Sequence, residues 1–129
     1  MQISQVLRHK DGEVATIVAT ESVRTALAVL AERRIGALVV SSDGERVEGI
    51  LSERDIVRGL HSHGAGLLTE PVSSVMTAVV RTCSLHAGVH ELAQLMTDHR
   101  IRHVPVVEDG KLLGIVSIGD VVKARLDEL

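Results

Sequence analysis

A chain of 129 residues with 45% apolar side chains is long enough to close a hydrophobic core without disulfides or a structural metal. A formal charge of −3 offers no basic stripe to a phosphate backbone, and the absence of Phe, Tyr and Trp leaves no platform for stacking bases, so bulk nucleic-acid binding is excluded. No apolar run reaches the ~20 residues of a membrane span, and Met1-Gln2-Ile3-Ser4-Gln5 shows no charged region ahead of an apolar one, so a cytoplasmic location away from membranes is expected.

The lead-in Ile3-Ser4-Gln5-Val6-Leu7 is followed by a first strand near Val14 and Thr16. Val23, Ala26, Leu27 and Leu30 then fall at i, i+3, i+4 and i+7, the single buried stripe of a helix. Ala37-Leu38-Val39-Val40 is short and wholly apolar, as a buried strand requires, and Asp43-Gly44 is a hairpin signal returning the chain into a strand over residues 47–51. The phrase Gly49-Ile50-Leu51-Ser52-Glu53-Arg54-Asp55-Ile56-Val57 leads from the end of that strand through a tight turn into a second helix. A Gly-rich, Pro-bounded connection follows, from His61-Ser62-His63-Gly64-Ala65-Gly66 to Pro71.

Everything then comes again. Val72-Ser73-Ser74-Val75-Met76 repeats the lead-in, and Val89, Leu92, Ala93 and Met96 repeat the helical stripe. Val104-Pro105-Val106-Val107 repeats the buried strand, Asp109-Gly110 the hairpin signal into residues 112–116, and Gly114 to Val122 the closing phrase. Laying residues 14–44 on 80–110, then 49–57 on 114–122 after one extra residue in the first copy, matches Thr16 with Thr82, Arg34 with Arg100, Ile35 with Ile101, Ser52 with Ser117 and Asp55 with Asp120. The chain is therefore two copies of one unit: 1–61, a connection 62–71, and 72–129. Each reads β-α-β-β-α, with its first two strands parallel through a right-handed crossover. One copy has too little core to stand alone, so an α/β (α+β) fold with the two units packed sheet to sheet is expected. The lone Cys83 cannot form an internal disulfide and reads as a small buried hydrophobe.

The repeated Ser-x-x-Asp has two readings. It is a capping box, with Ser52 or Ser117 as the N-cap and Asp in place of the commoner Glu at the third helical position. It is equally suited to a ligand, since a helix N-terminus offers N–H groups and a positive dipole end to a phosphate while a carboxylate can accept both hydroxyls of a ribose. The residues alone leave both open, the cap being the simpler.

The whole chain resembles a tandem pair of cystathionine-β-synthase (CBS) domains, a Bateman module. The resemblance is carried by the phrases at 49–56 and 114–121, by Arg34 to Val40 and Arg100 to Val107, and by Val75-Met76-Thr77. It implies a regulatory fold whose clefts between the repeats bind AMP, ADP, ATP, S-adenosylmethionine or NAD(H), AMP foremost, and signal by conformational change. It also implies a homodimer, and Val6-Leu7-Arg8-His9-Lys10 with the Ser52 to Val57 phrase is similar to free-standing bacterial members that act on another protein, here unknown. Carried over, Asp55 and Asp120 would hold ribose hydroxyls, with Ser52 and Ser117 near the ribose or phosphates. Ala15, Thr16, Ile35, Gly36 and Ala37, and in the second copy Arg81, Thr82, Ile101, Arg102 and His103, would line the adenine and the sugar-phosphate path. The copies differ, with Arg102 and His103 facing Gly36 and Ala37, and Arg54 facing Gly119, so unequal clefts are expected. The dimer face is expected around Ile56, Val57, Leu60, Val121 and Val122.

The seven histidines include His86/His90 and His99/His103 at i, i+4 spacing, but no HExxH or Cys/His framework surrounds them, so no metal site is expected. No nucleophile with its base and no paired carboxylates with an acid are in evidence, so no catalytic activity or catalytic cofactor is expected. The alternative to a ligand sensor is a ligand-free interaction scaffold in which Ser and Asp are only caps. Asp at both signature positions favours the sensor.

Overall fold

The computed structural model describes residues 1–10 and 14–129. The described helices are α1 (Ile3–Arg8), α2 (Val23–Arg33), α3 (Glu53–His63), α4 (Val89–His99) and α5 (Ile118–Asp127). The strands are β1 (Thr16–Ile17), β2 (Ala37–Val40), β3 (Gly49–Ser52), β4 (His103–Glu108) and β5 (Lys111–Ser117), and two short 3₁₀ helices cover Gly64–Thr69 and Val72–Ser74. The chain divides into two compact units: Ala15–Val80, the first unit below, and Met1–Val14 with Arg81–Leu129, the second. Each unit thus contains the lead-in that precedes the other repeat.

In the first unit β2 is the middle strand of three, parallel to β1 with Thr16 opposite Val39 and antiparallel to β3 with Ala37 opposite Ser52. A strand flanked on both sides and covered on its faces must be apolar throughout, and all four residues of β2 are buried. Ile17, Val23, Leu30, Leu38, Leu51 and Ile56 form the core with Leu67 and Val72. Helix α2 starts on Ser22, whose hydroxyl accepts from the Thr25 N–H at 3.1 Å, and stops at Arg34, a left-handed residue with φ 55°. The segment that reads as a Gly-rich connection is helical: α3 runs to His63, and the following 3₁₀ helix delivers Leu67, fully buried, against Gly59 of α3.

The second unit has the same plan with a thinner sheet. β4 and β5 pair antiparallel, but the expected first strand of this repeat shrinks to one parallel bridge, Cys83 to Val106. The reason is Pro105. In the first unit the Val39 N–H donates to the Ala15 carbonyl at 3.2 Å; the matching position is Pro105, which has no N–H to offer Arg81. Only the rungs at Cys83 remain, its N–H to the Pro105 carbonyl at 3.0 Å and the Val107 N–H to the Cys83 carbonyl at 2.9 Å.

The two Asp-Gly turns also diverge. Asp109 and Gly110 both have positive φ, 53° and 76°, and close a two-residue hairpin between Glu108 and Lys111. Asp43-Gly44 sits in a longer loop, where the Asp43 carboxylate accepts from the N–H groups of Arg46 at 2.8 Å and Glu45 at 2.9 Å, holding its pKa down to about 2.

The exchanged lead-ins dock identically. In the second unit Ile3 N–H donates to the Ala87 carbonyl, Ser4 N–H to that of Leu85 and Val89 N–H to that of Met1. In the first, Val72 donates to Glu21, Ser73 to Ala19 and Val23 to Glu70, the same three bonds at matching positions. Ile3 and Val72 are fully buried as a result.

Candidate functional site

Both repeated phrases form the expected capping box. Ser52 Oγ accepts from the Asp55 N–H at 3.2 Å while Asp55 Oδ2 accepts from the Ser52 N–H at 2.9 Å and its hydroxyl at 3.1 Å. Ser117 Oγ accepts from the Asp120 N–H at 3.1 Å and Asp120 Oδ2 from the Ser117 N–H at 2.8 Å. At both sites the box uses Oδ2, so Oδ1 stays outside the cap.

The strand starts are tied to these helix starts. Glu53 N–H donates to the Gly36 carbonyl at 3.0 Å and Ile118 N–H to that of Arg102 at 2.8 Å, while Ala37 lies opposite Ser52 and His103 opposite Ser117. Gly36, Ala37, Ser52 and Asp55 are thereby gathered in one unit, and Arg102, His103, Ser117 and Asp120 in the other. Thr16 lies on the far strand of the sheet, opposite Val39, and Ala15 just ahead of it. Arg81 and Thr82 are exposed just ahead of the Cys83 bridge. Ile35 and Ile101 pack against the cores of their own units, which accounts for them without a ligand. Arg54 is exposed on the first turn of α3, and it and His103 are each engaged in a polar interaction.

What the sequence reading missed comes from the exchanged lead-ins. Lys10 Nζ donates to Asp120 Oδ2 at 2.8 Å and to the Ile115 carbonyl at 2.7 Å, with the ammonium and carboxylate side chains 33% and 22% exposed. Burial alone would raise the Asp120 carboxyl, but the Lys10 hydrogen bond, the Ser117 N–H and the Lys10 charge together outweigh it and hold the group below its ordinary value of 3.8. Asp55 meets a neutral partner instead, the Thr77 hydroxyl, 3.4 Å from Oδ1. The two signature glycines are explained by the same lead-ins. A Cβ on Gly49 would lie 2.7 Å from Met76 Sδ, and one on Gly114 2.7 Å from Leu7 Cδ2, so each strand is kept bare for the side chain laid across it. The rhyme between Leu7 and Met76 is visible in the sequence, but which repeat each one packs on is not.

A family model for the CBS domain matches the chain twice, over residues 3–62 and 72–127. The chain belongs to the CBS-domain family. It carries two CBS domains in tandem, and solved CBS proteins share its architecture. A CBS-domain containing protein of Agrobacterium tumefaciens, ATU1752, is 42% identical, with 97% of this chain and 99% of that one aligned at a TM-score of 0.92. The CBS domain protein PAE2072 from Pyrobaculum aerophilum, solved complexed with AMP, aligns over the full length of both chains at 27% identity and a TM-score of 0.83. The mitochondrial CBS domain-containing protein CBSX3 of Arabidopsis thaliana is 37% identical over 98% of this chain, which spans 65% of that protein's length.

The second CBS unit also holds an open cavity of about 630 Å³ between residues 82–87 and α4, lined in part by Thr82, Cys83, His90, Glu91 and Asp98. It lies apart from the Ser117–Asp120 helix start, and of the expected ligand residues it takes only Thr82. Burial, with the Glu91 charge, pushes the Cys83 thiol up to about 11, so it is not a thiolate near neutrality. Among the described residues no group of three or more His, Cys, Asp or Glu is placed to hold a metal ion, and no helix is long and apolar enough to cross a membrane.

Proposed function

We propose that this CBS pair is a non-catalytic regulatory module that binds adenosine nucleotides, AMP foremost, at the two Ser-x-x-Asp helix starts and signals the bound state to a partner protein. The observation that carries this reading is the shared carboxylate geometry: each signature Asp caps its helix with Oδ2 alone, leaving Oδ1 outside the cap to accept ribose hydroxyls. Next to it the helix N-terminus offers N–H groups and the positive end of a dipole to a phosphate. The AMP complex of the Pyrobaculum relative, at 27% identity, supports the ligand class. Gly36, Ala37, Arg102 and His103 border the helix starts, with Ala15, Thr16, Arg81 and Thr82 further along the path. ADP, ATP, NAD(H) and S-adenosylmethionine share the adenosine and belong to the same class. Signalling follows from linkage, since a ligand that binds one arrangement of the module more tightly shifts the population toward it.

The module acts as a homodimer in this reading. Val57 and Leu60 are exposed on α3, and Val122 and Leu126 on α5, apolar side chains that a second copy would cover. Ile56 and Val121, expected on that face, are instead 3% exposed and belong to the cores of their units, because they fall on the inner side of each helix. Light scattering at tens of micromolar should report a dimer.

The Ser-Asp capping boxes are also what a ligand-free scaffold would show. A thermal-shift panel of AMP, ADP, ATP, NAD(H) and S-adenosylmethionine separates the two, since a ligand that binds only the folded state raises Tm by mass action. Asp55→Asn should leave the unliganded Tm nearly unchanged, because the Asn amide oxygen can still accept from the Ser52 N–H, whereas Asp120→Asn also gives up the Lys10 ion pair and should lower it. Both should weaken the ligand response roughly ten- to a hundredfold in affinity. Flat responses across the panel at millimolar ligand would establish the scaffold.

A further inference from the structure

The two helix starts carry the same carboxylate in different electrostatic company, and the difference comes from the lead-ins. In the first unit the opening turn of α3 holds Glu53, Arg54 and Asp55, the strand start beside it is Gly36-Ala37, and the lead-in contributes only the Thr77 hydroxyl. Its fixed charges leave one net negative charge at the helix start. In the second unit the opening turn is Ile118-Gly119-Asp120, the strand start is Arg102-His103, and Lys10 sets its ammonium 2.8 Å from Asp120. With His103 neutral, one net positive charge remains.

A helix start of net negative charge repels a phosphate that approaches within a few Å, and at partly buried positions that repulsion is less screened than in bulk water. A carboxylate paired with an ammonium repels it far less, and the ammonium, a compact cation on a flexible stem, can turn toward the anion. Lys10 spans the Ile115 carbonyl on β5 and the Asp120 carboxylate on α5, so it is held at the helix start rather than sampling solvent. The matching lead-in position in the first unit places no cation near Asp55.

Resting on the reading that the signature carboxylates meet the ribose of an adenosine nucleotide, we propose that Lys10 is a specificity-determining residue: it tunes the second unit for the more highly phosphorylated nucleotide, while the first unit, finished by Thr77, takes the less charged one. The division of labour lies in residues that precede each repeat in the chain and serve the other.

Isothermal titration of the full-length protein with AMP and with ATP, in magnesium-free buffer, tests this. An Asp55→Asn background reports the second unit and an Asp120→Asn background the first. The ATP-to-AMP affinity ratio should be higher in the Asp55→Asn protein, fall about tenfold on adding Lys10→Met and survive Lys10→Arg. Thr77→Lys in the Asp120→Asn background should raise the ratio there, an arm that stands even if Lys10→Met fails to fold. Equal ratios in the two backgrounds, or a Lys10→Met change that weakens AMP and ATP alike, would overturn the role of Lys10 while leaving nucleotide binding intact. Absence of binding by any adenosine compound to the unmutated protein would overturn both.

Discussion

The two CBS units share a backbone plan and differ in what is hung on it. Both lay a lead-in across a bare glycine, start a helix on a Ser-x-x-Asp capping box and stop another on a left-handed arginine. The first then adds a third strand rung by rung, a 3₁₀ segment that buries Leu67, and a neutral partner for its carboxylate. The second has proline where a rung would form, and a lysine on its carboxylate. The bare glycines, capping boxes and left-handed arginines recur in both copies, whereas the Asp-Gly turns, the charge at the helix starts and the sheet width do not. The comparison teaches that two sites with one scaffold can be chemically unequal.

The largest test of that comparison is Leu67→Ala. It removes a fully buried side chain from the first unit alone and should cost ~2–5 kcal/mol, as large-to-small core changes do. Amide exchange should then show residues 15–80 opening before 81–129; uniform loss of protection would mean that the units do not unfold separately.

Gly49→Ala and Gly114→Ala come next, each overpacking a lead-in at ~1–3 kcal/mol. Gly49→Ala should be the worse, because its Cβ would also press the Thr77 carbonyl at 3.1 Å, whereas at Gly114 the contacts are the mobile tip of Leu7. Paired denaturant melts give the order, and a larger loss at Gly114 would contradict it.

Each unit holds a carboxylate below its ordinary value, Asp43 in the first and Asp120 in the second, but only the second depends on Lys10. Asp120 is held below 3.8, so between the lowered and the ordinary value the unfolded chain binds more protons than the folded one. The stabilisation tied to Asp120 is fully present above that range and is lost as pH falls through the folded value. Lys10→Met should flatten this loss in the second unit only, as read by amide exchange across pH 2 to 5, a range set about the carboxylate's ordinary pKa.

The smallest effect belongs to the helix ends. Arg34→Gly removes the Cβ penalty of a left-handed residue and should stabilise by up to ~1 kcal/mol. Arg100→Gly, at a matching φ of 54°, should stabilise by a similar amount. A fall in Tm at either position would contradict this.

The sequence by itself determined the helical stripes, the wholly apolar β2 and both capping boxes, because each is set by residues within about a turn or a strand of one another, and the repeat, because it is a match of the chain with itself. It showed Pro105 too, though the lost rung follows only once Arg81 is known to lie beside it. What tertiary structure alone decided was the exchange of lead-ins, and with it the meeting of Lys10 with Asp120, Thr77 with Asp55, Leu7 with Gly114 and Met76 with Gly49. The two lead-ins rhyme, and either could bury its apolar residues on either repeat as far as local pattern is concerned. The pairing of Lys10 with Asp120 spans 110 positions, and no periodicity in a single sequence encodes a contact at that distance. The electrostatic difference between the two helix starts therefore lies in the fold, although every residue that makes it is plain in the sequence.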